Sequence, residues 1–490
     1  MPLHSDSNEV SLPGSELVVV MKAGAVQNNF LANAPADFEV GIERVKSVLL
    51  KEGAELEPLF GFAENKMELA VMALPATVDL VPANFSNFYL VKAPESSYQI
   101  IAQRLRVDPL VDVVYIKPPA EPPTLLMDHA PSLNAPAPAI TPDYSSRQGY
   151  LDAAPEGIDA RYAWTQDGGN GLGVNIIDVE GEWRFTHEDL LSNQGGLVGG
   201  ISPNNLGWRN HGTAVIGEFG SDKNGFGTTG ICPDANVRAV SIFPNQGSSR
   251  AIAQAANFLN AGDILLVELH RPGPRNNFQS RGDQAGFIAV EWWPDDYQAI
   301  RFATGKGIIV VEAAGNGAED LDDLIYDQNP TSPNGPFPTW WQNPFRRNSL
   351  DSGAILVGAG SPPPGTHGRN HGPDRSRLGF SNYGKSLDAQ GWGREVTTTG
   401  YGDLQGGQSE DYWYTDTFSG TSSASPIVVG ALGCLQGILK AAGKPLLSPA
   451  QARQYLRTTG SVQQDAPGRP KSQRIGNRPD LRQLINSLVP

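Results

Sequence analysis

From about residue 148 to 490, short apolar runs alternate with helical stretches, and this alternation limits the fold more than any other feature of the chain. Val174 to Ile177, Asn236 to Ile242, Asp263 to Leu269, Gly307 to Glu312 and Gly353 to Gly358 read as strands. Helices fit between them at about Gly212 to Gly220, Ser249 to Ala261 and Asp295 to Thr304. Strands joined by helices imply an α/β fold on a mainly parallel sheet, with a functional site at the strands' carboxyl ends.

The first part of the chain has another order. Glu16 to Met21 reads as a strand, and Pro35 to Lys51 as a helix with Phe38, Ile42, Val45 and Leu49 at helical spacing. Strands follow at Met67 to Met72 and Asn87 to Val91, a helix at Glu95 to Arg106, and a last strand at Val111 to Ile116. The sum is β-α-β-β-α-β, the ferredoxin-like α+β pattern. Residues 1–14 are polar and expected to fray. Residues 15–118 form the small domain. Residues 119–147 carry PPAEPP and APAPA and read as an extended, protease-accessible linker. Residues 148–490 form the large domain.

Composition removes several function classes. The net charge of -15 argues against nucleic acid or an anionic membrane surface as partner. Two cysteines, Cys232 and Cys434, exclude a disulfide scaffold and read as buried thiols. The sequence MPLHSDSNEV has neither a basic nor an apolar segment, so the expectation is cytoplasmic synthesis, with any export by a route lacking an ordinary signal. The apolar stretch from Ile427 to Ala442 is too short to span a bilayer comfortably and reads as a core helix.

Four segments carry chemistry. In GVNIIDVEGEWRFTHEDL an apolar strand is followed by a carboxylate, Asp178. In NHGTAVIGEFGS, His211 precedes a glycine that admits close approach of another backbone, and then a small-residue helix. In IIVVEAAGNG a buried strand ends at Asn316, an amide donor on a tight turn. In FSGTSSASPIVVGAL, small residues surround Ser422, and Pro426 suits the first turn of a buried helix. Each segment alone is ordinary: an acid caps a helix, a histidine fills a core, an asparagine makes a turn, a serine caps.

Taken in order, the four segments make residues 148–490 resemble the subtilases, the subtilisin-like serine peptidases. GTSSASP is the most specific part, and the order Asp, His, Ser is that of subtilisin. The resemblance implies a three-layer subtilisin-like fold and a serine endopeptidase. Asp178, His211 and Ser422 would be its triad and Asn316 its oxyanion donor. Glu268, Leu269 and His270, with Ala313, Ala314 and Gly315, would bind substrate. Its partners would be proteins or peptides, with no nucleic acid or membrane, and nothing demands more than a monomer. No cofactor is required and no metal ligand is assigned, although calcium serves many subtilases as a structural ion. The small domain resembles subtilase prodomains, which chaperone and inhibit, with a tail that enters the cleft from near Lys117. Its retention as a permanent regulatory domain stays open, as does a silent fold that binds without cutting.

The chain departs from the family pattern in three places. The acid motif reads Asp178-Val179-Glu180-Gly181, where a small residue and glycine usually follow the acid. A strand usually ending Ser-Leu-Gly-Gly reads Glu268-Leu269-His270-Arg271, which either narrows or charges the substrate pocket or is accommodated by a shifted loop. Two long loops, Pro272 to Pro294 and Ala318 to Ser349, are added. The second carries Glu319, Asp320, Asp322, Asp323 and Asp327, which match no calcium-loop spacing and read as a solvated acidic loop. Its Trp340, Trp341 and Phe345 are expected to pack.

Overall fold

The computed structural model describes residues 13–22, 36–61, 85–123, 138–192, 194–244 and 246–489. The small domain is built from β1 (Glu16–Met21), α1 (Ala36–Lys51), β2 (Glu55–Pro58), β3 (Phe88–Lys92), α2 (Tyr98–Leu105) and β4 (Val111–Lys117). Its strands form one antiparallel sheet in the order β2-β3-β1-β4. Strand β2 was not anticipated, and the strand expected at Met67 to Met72 lies outside the described residues. Alternation along β1 divides the apolar side chains between two cores. Leu17 and Val19 face Val45, Leu49, Ile101 and Leu105 of the two helices. Val18 and Val20 face outward from this domain, into the core of the large one.

The large domain holds seven parallel strands: β5 (Asn175–Glu180), β6 (Gln194–Gly199), β7 (Asn236–Ser241), β8 (Ile264–Val267), β11 (Ile309–Ala313), β12 (Ile355–Gly360) and β13 (Leu387–Trp392), in the order β13-β12-β11-β8-β5-β7-β6. A short antiparallel pair, β9 (His270–Pro272) and β10 (Phe287–Ala289), follows β8. The chain leaves β5 toward β7 and returns on its other side as β8, so the connections diverge at β5 and open a crevice beyond its carboxyl end. Inward residues again alternate. Ile176, Leu266 and Val311 face one layer, which holds α3 (Leu206–Gly220) and the central α6 (Ser425–Ala441). Ile177, Leu265 and Val310 face the other, which holds α4 (Gly247–Asn257) and α5 (Pro294–Gly305). The predicted three-layer α/β architecture is thus observed. Helix α6 is buried along nearly its whole length and begins with a proline in its first turn. Cys232 and Cys434 are free and buried.

The two domains share one interface. The outer face of the small sheet lies on the layer of α4 and α5, and Phe60, Phe85 and Tyr115 join the same apolar cluster as Ala253, Phe302 and Trp293. The added loop at 318–349 clasps the same edge. Ile116 N–H donates to the Pro333 carbonyl at 3.1 Å, and Asn334 donates to the Ile116 carbonyl at 2.9 Å. Trp341 and Phe345 are buried, and Trp341 and Phe337 pack with Trp292. Phe337 in turn meets Tyr115 of the small domain, edge to face at 5.2 Å. This loop therefore serves the domain interface.

At the centre of the interface lies a charge cluster. Lys117 is fully buried, with its ammonium 2.5 Å from Asp295, 3.0 Å from Asp296 and 3.3 Å from Glu16. Arg271, also fully buried, pairs with Glu16 and donates to the Pro118 carbonyl. Burial pushes the Glu16 carboxyl up, but Arg271 and Lys117 outweigh it and hold the group at about 2.

The start of the expected linker is not accessible. Ala120 to Pro123 are buried against the large domain. Asp143 and Tyr144, near the linker's other end, already pair with Gly227 of that domain.

Two outcomes follow for the interface. Lys117→Met leaves buried carboxylates uncompensated, so it should destabilise the full chain by about 3–5 kcal/mol in urea unfolding. Glu16 is depressed from 4.5 to about 2, so its contribution is complete above 4.5 and is lost as pH falls toward 2. The stability gap between wild type and Glu16→Gln should accordingly close over that range.

Candidate active site

Strand β5 runs three residues further than its apolar pattern suggested, to Glu180, and this decides which carboxylate reaches the histidine. Asp178 lies within the strand and Glu180 at its end. Residues two apart point to the same face, so Asp178 stands one pleat behind Glu180. Glu180 Oε2 lies 2.6 Å from His211 Nδ1, and both side chains are fully buried. Asp178 instead accepts from the Trp183 indole at 2.8 Å. The expected pairing of Asp178 with His211 is therefore corrected: the partner is Glu180. The sequence held a signal for it, since the apolar run continues through Val179 before the glycine turn at Gly181.

His211 lies in the second turn of α3, not ahead of it. Gly212 lets that helix close on the turn after β5. A Cβ there would stand 2.3 Å from the Glu182 carbonyl and 2.7 Å from the Trp183 ring. The close approach read from the sequence is real, and it brings the imidazole to Glu180. Its far nitrogen, Nε2, is buried without a hydrogen bond, as is the Ser422 hydroxyl. The Phe418 ring, four residues before Ser422, stands edge-on to the imidazole at 5.6 Å.

Asn316 follows β11 on a tight turn. Its Oδ1 accepts from both the backbone N–H and the hydroxyl of Thr421, at 2.9 and 3.0 Å. With the oxygen so held, the amide NH₂ must face the crevice. There it donates to Gln284 Oε1 at 3.1 Å. Gln284 belongs to the added loop between β9 and β10, and sequence reasoning did not single it out.

The remaining expected residues divide between cleft and interior. His270 lines the cleft on β9, and its Nδ1 accepts from the Asn316 N–H at 3.3 Å. Leu269 is core. Ala314 pairs its N–H with Val357 and its carbonyl with Asn382, while Gly315 donates to the Thr421 hydroxyl. Glu268 turns inward and takes the Ser425 hydroxyl. Arg271 is drawn into the domain interface and so does not charge the pocket.

The tail of the small domain occupies the cleft. Glu121 and His270 exchange backbone hydrogen bonds, both 3.1 Å, so the tail adds an antiparallel strand to β9. Gln284 Nε2 donates to the Pro122 carbonyl at 3.1 Å. Burial raises the Glu121 carboxyl to about 7, and its hydrogen bond with Gln284 holds it back.

The covered cleft has unusual electrostatics. Asp178, Glu180 and Glu268 are each pushed well above the usual carboxylate range, first by burial and then by one another's charge. Burial lowers His211 to about 3, and lowers His270 well below its usual value.

The acidic loop offers no metal site. Glu319 pairs with Arg275 and Tyr326, Asp323 with Arg275, and Asp327 with Arg346 and Asn343. Asp320 and Asp322 cap backbone N–H groups at Asp322 and Lys385. These oxygens do not converge, and among the described residues no three His, Cys, Asp or Glu side chains gather to hold a metal ion. No helix among the described residues is long and apolar enough to cross a membrane.

Comparison with known proteins agrees with this architecture. The family model for peptidase S8, the subtilase family, matches residues 192–477, more than half of the chain. An intracellular serine protease of Paenibacillus polymyxa is 24% identical over 320 residues, covering 62% of this chain and 78% of that protein. Thermitase of Thermoactinomyces vulgaris is 27% identical over 305 residues, covering 60% of this chain and 84% of that one. Among solved structures, the epidermin leader peptide processing serine protease of Staphylococcus aureus aligns with a TM-score of 0.53 at 16% identity, over 97% of this chain and 99% of its own. Fervidolysin of Fervidobacterium pennivorans aligns with a TM-score of 0.52 at 16% identity, over 97% of this chain and 61% of its own. The chain belongs to the subtilase family of serine peptidases.

Proposed function

We propose that this serine endopeptidase cuts through a Glu180-His211-Ser422 triad and is held as a precursor by its own amino-terminal domain. The observation that carries the reading is the 2.6 Å contact between Glu180 and His211 Nδ1, which leaves Nε2 as the free base. The Ser422 hydroxyl needs such a base, because it is a weak nucleophile at neutral pH. His211 takes its proton as Ser422 Oγ bonds to the substrate carbonyl carbon, then gives the proton to the departing amine. Glu180 holds the Nδ1–H tautomer and stabilises the imidazolium. The Asn316 NH₂ would meet the oxyanion once it exchanges Gln284 for the substrate. Water then releases the acyl group by the same steps in reverse. Asp178, one pleat behind Glu180 and held by the Trp183 indole, is a positioning residue. Residues 15–118 act as the inhibitor domain, and the buried stretch through Pro123 supports this by filling the cleft as a substrate would.

Casein hydrolysis by purified variants tests the roles separately. Glu180→Gln presents an amide to Nδ1 and should lower kcat by about 10⁴. Asp178→Asn keeps an acceptor for Trp183 and does not touch His211, so it should stay within about tenfold of wild type. The reverse ranking would restore Asp178 as the charged partner. Asn316→Ala should lower kcat by about 10²–10³ with little change in KM.

The pH dependence gives a further check. His211 must be neutral to accept the proton, and burial keeps it neutral down to about 3. The first-order rate of self-cleavage in the precursor should fall less than about threefold between pH 7 and pH 4. A histidine at its ordinary value of about 6.5 would lose roughly a hundredfold or more over that span.

A further inference from the structure

The tail that fills the cleft also identifies its own point of cleavage. Glu121 is the last residue paired with β9, because Pro122 and Pro123 have no N–H to donate. The antiparallel register that sets Glu121 against His270 sets Pro123 against Glu268, two residues on along one strand and two back along the other. Glu268 accepts from the hydroxyl of Ser425, three residues on from Ser422. Register thus carries the Pro123 backbone toward the segment that holds Ser422 and Ser425.

A second contact points to the same atom. Gly420 has φ +108°, and a Cβ built on it would lie 2.1 Å from the Pro123 carbonyl oxygen and 3.2 Å from Asn316 Nδ2. The carbonyl therefore enters the space that this glycine leaves open, beside the amide that Thr421 turns toward the crevice. The preceding carbonyl is otherwise engaged, since Pro122 O is held by Gln284. The Glu121 carbonyl is bonded to the His270 N–H. Of the three, that of Pro123 is the one beside Gly420, two residues before Ser422, and beside Asn316.

We propose that Pro123 is the acyl residue in the chain's own processing, so that the bond cut is Pro123–Thr124. This rests on the peptidase reading above. Ser422 Oγ bonds to the Pro123 carbonyl carbon, and the carbon–nitrogen bond to Thr124 breaks. The serine proton passes through His211 to the Thr124 nitrogen, which becomes a new amino terminus. Water then hydrolyses the ester, and the small domain ends in the Pro123 carboxylate. The same geometry assigns substrate class: the cleft takes an extended segment with proline before the cut and a carboxyl-bearing side chain two residues earlier.

Full-length wild type and Ser422→Ala, followed by intact mass and amino-terminal sequencing with casein hydrolysis in parallel, test the assignment. Wild type should yield one piece ending at Pro123 and one beginning at Thr124, while Ser422→Ala stays whole. Pro123→Asp must bury a second carboxylate near Glu268, and should process at least tenfold more slowly while keeping the circular dichroism of the folded chain. A Ser422-dependent cut at another bond, an undiminished Pro123→Asp rate, or a chain that stays whole while it digests casein would overturn the assignment and leave the peptidase standing. A wild-type chain that is both whole and inert removes the peptidase reading, and the assignment with it.

Discussion

Lys117 is an ammonium ion with no access to water, and its place in the fold depends on the three carboxylates around it. Burial works against the charge, and Asp295, Asp296 and Glu16 more than reverse that effect. Two of these acids come from the first turn of α5 in the large domain and one from β1 in the small one. The cluster therefore cannot be completed by either domain alone. It also lies at the end of β4, directly before the residues that enter the cleft. An apolar interface tolerates sliding, whereas a buried ion network has one good geometry. That geometry fixes where the tail begins, and the register against β9 follows from it.

Covering the cleft changes the chemistry beneath it. Without water, the two carboxyls two residues apart on β5 are both disfavoured as anions. The same desolvation keeps the imidazole neutral and ready to act as a base. On the proposed reading, a triad sealed under its inhibitor is thus electrostatically prepared for a single event, in which the tail is the substrate. Two prolines at the end of that tail remove backbone donors that would otherwise tighten it. The binding energy then comes from Glu121, from Gln284 and from the domain interface behind, which leaves the carbonyl at Pro123 free to react.

The added loops serve this arrangement. The loop between β9 and β10 supplies Gln284, which touches both the tail and Asn316. The loop after Asn316 turns away from the site and closes on the small domain through Pro333, Asn334 and Phe337. Its acids are consumed by arginines and backbone caps, which explains why they follow no metal-binding spacing. Arg271, placed where glycine is usual in the family pattern, also belongs to the interface.

The sequence by itself determined the architecture, because parallel strands buried on both faces must be apolar runs and the helices between them must be amphipathic. It also determined that Asn316 and Ser422 stand beside element ends, since glycine and small residues around each leave few other uses, whereas His211 proved to lie inside its helix. Tertiary structure decided which carboxylate serves the histidine. Asp178 and Glu180 share one face of one strand, and only the strand's true end and the Trp183 indole separate their roles. It likewise decided the fates of Glu268 and Arg271, which the family resemblance set at the substrate pocket or in a shifted loop, and of the proline-rich stretch, which composition read as an open linker. A side chain's partner across a sheet or a domain boundary is a matter of three-dimensional register, and no spacing along the chain encodes it.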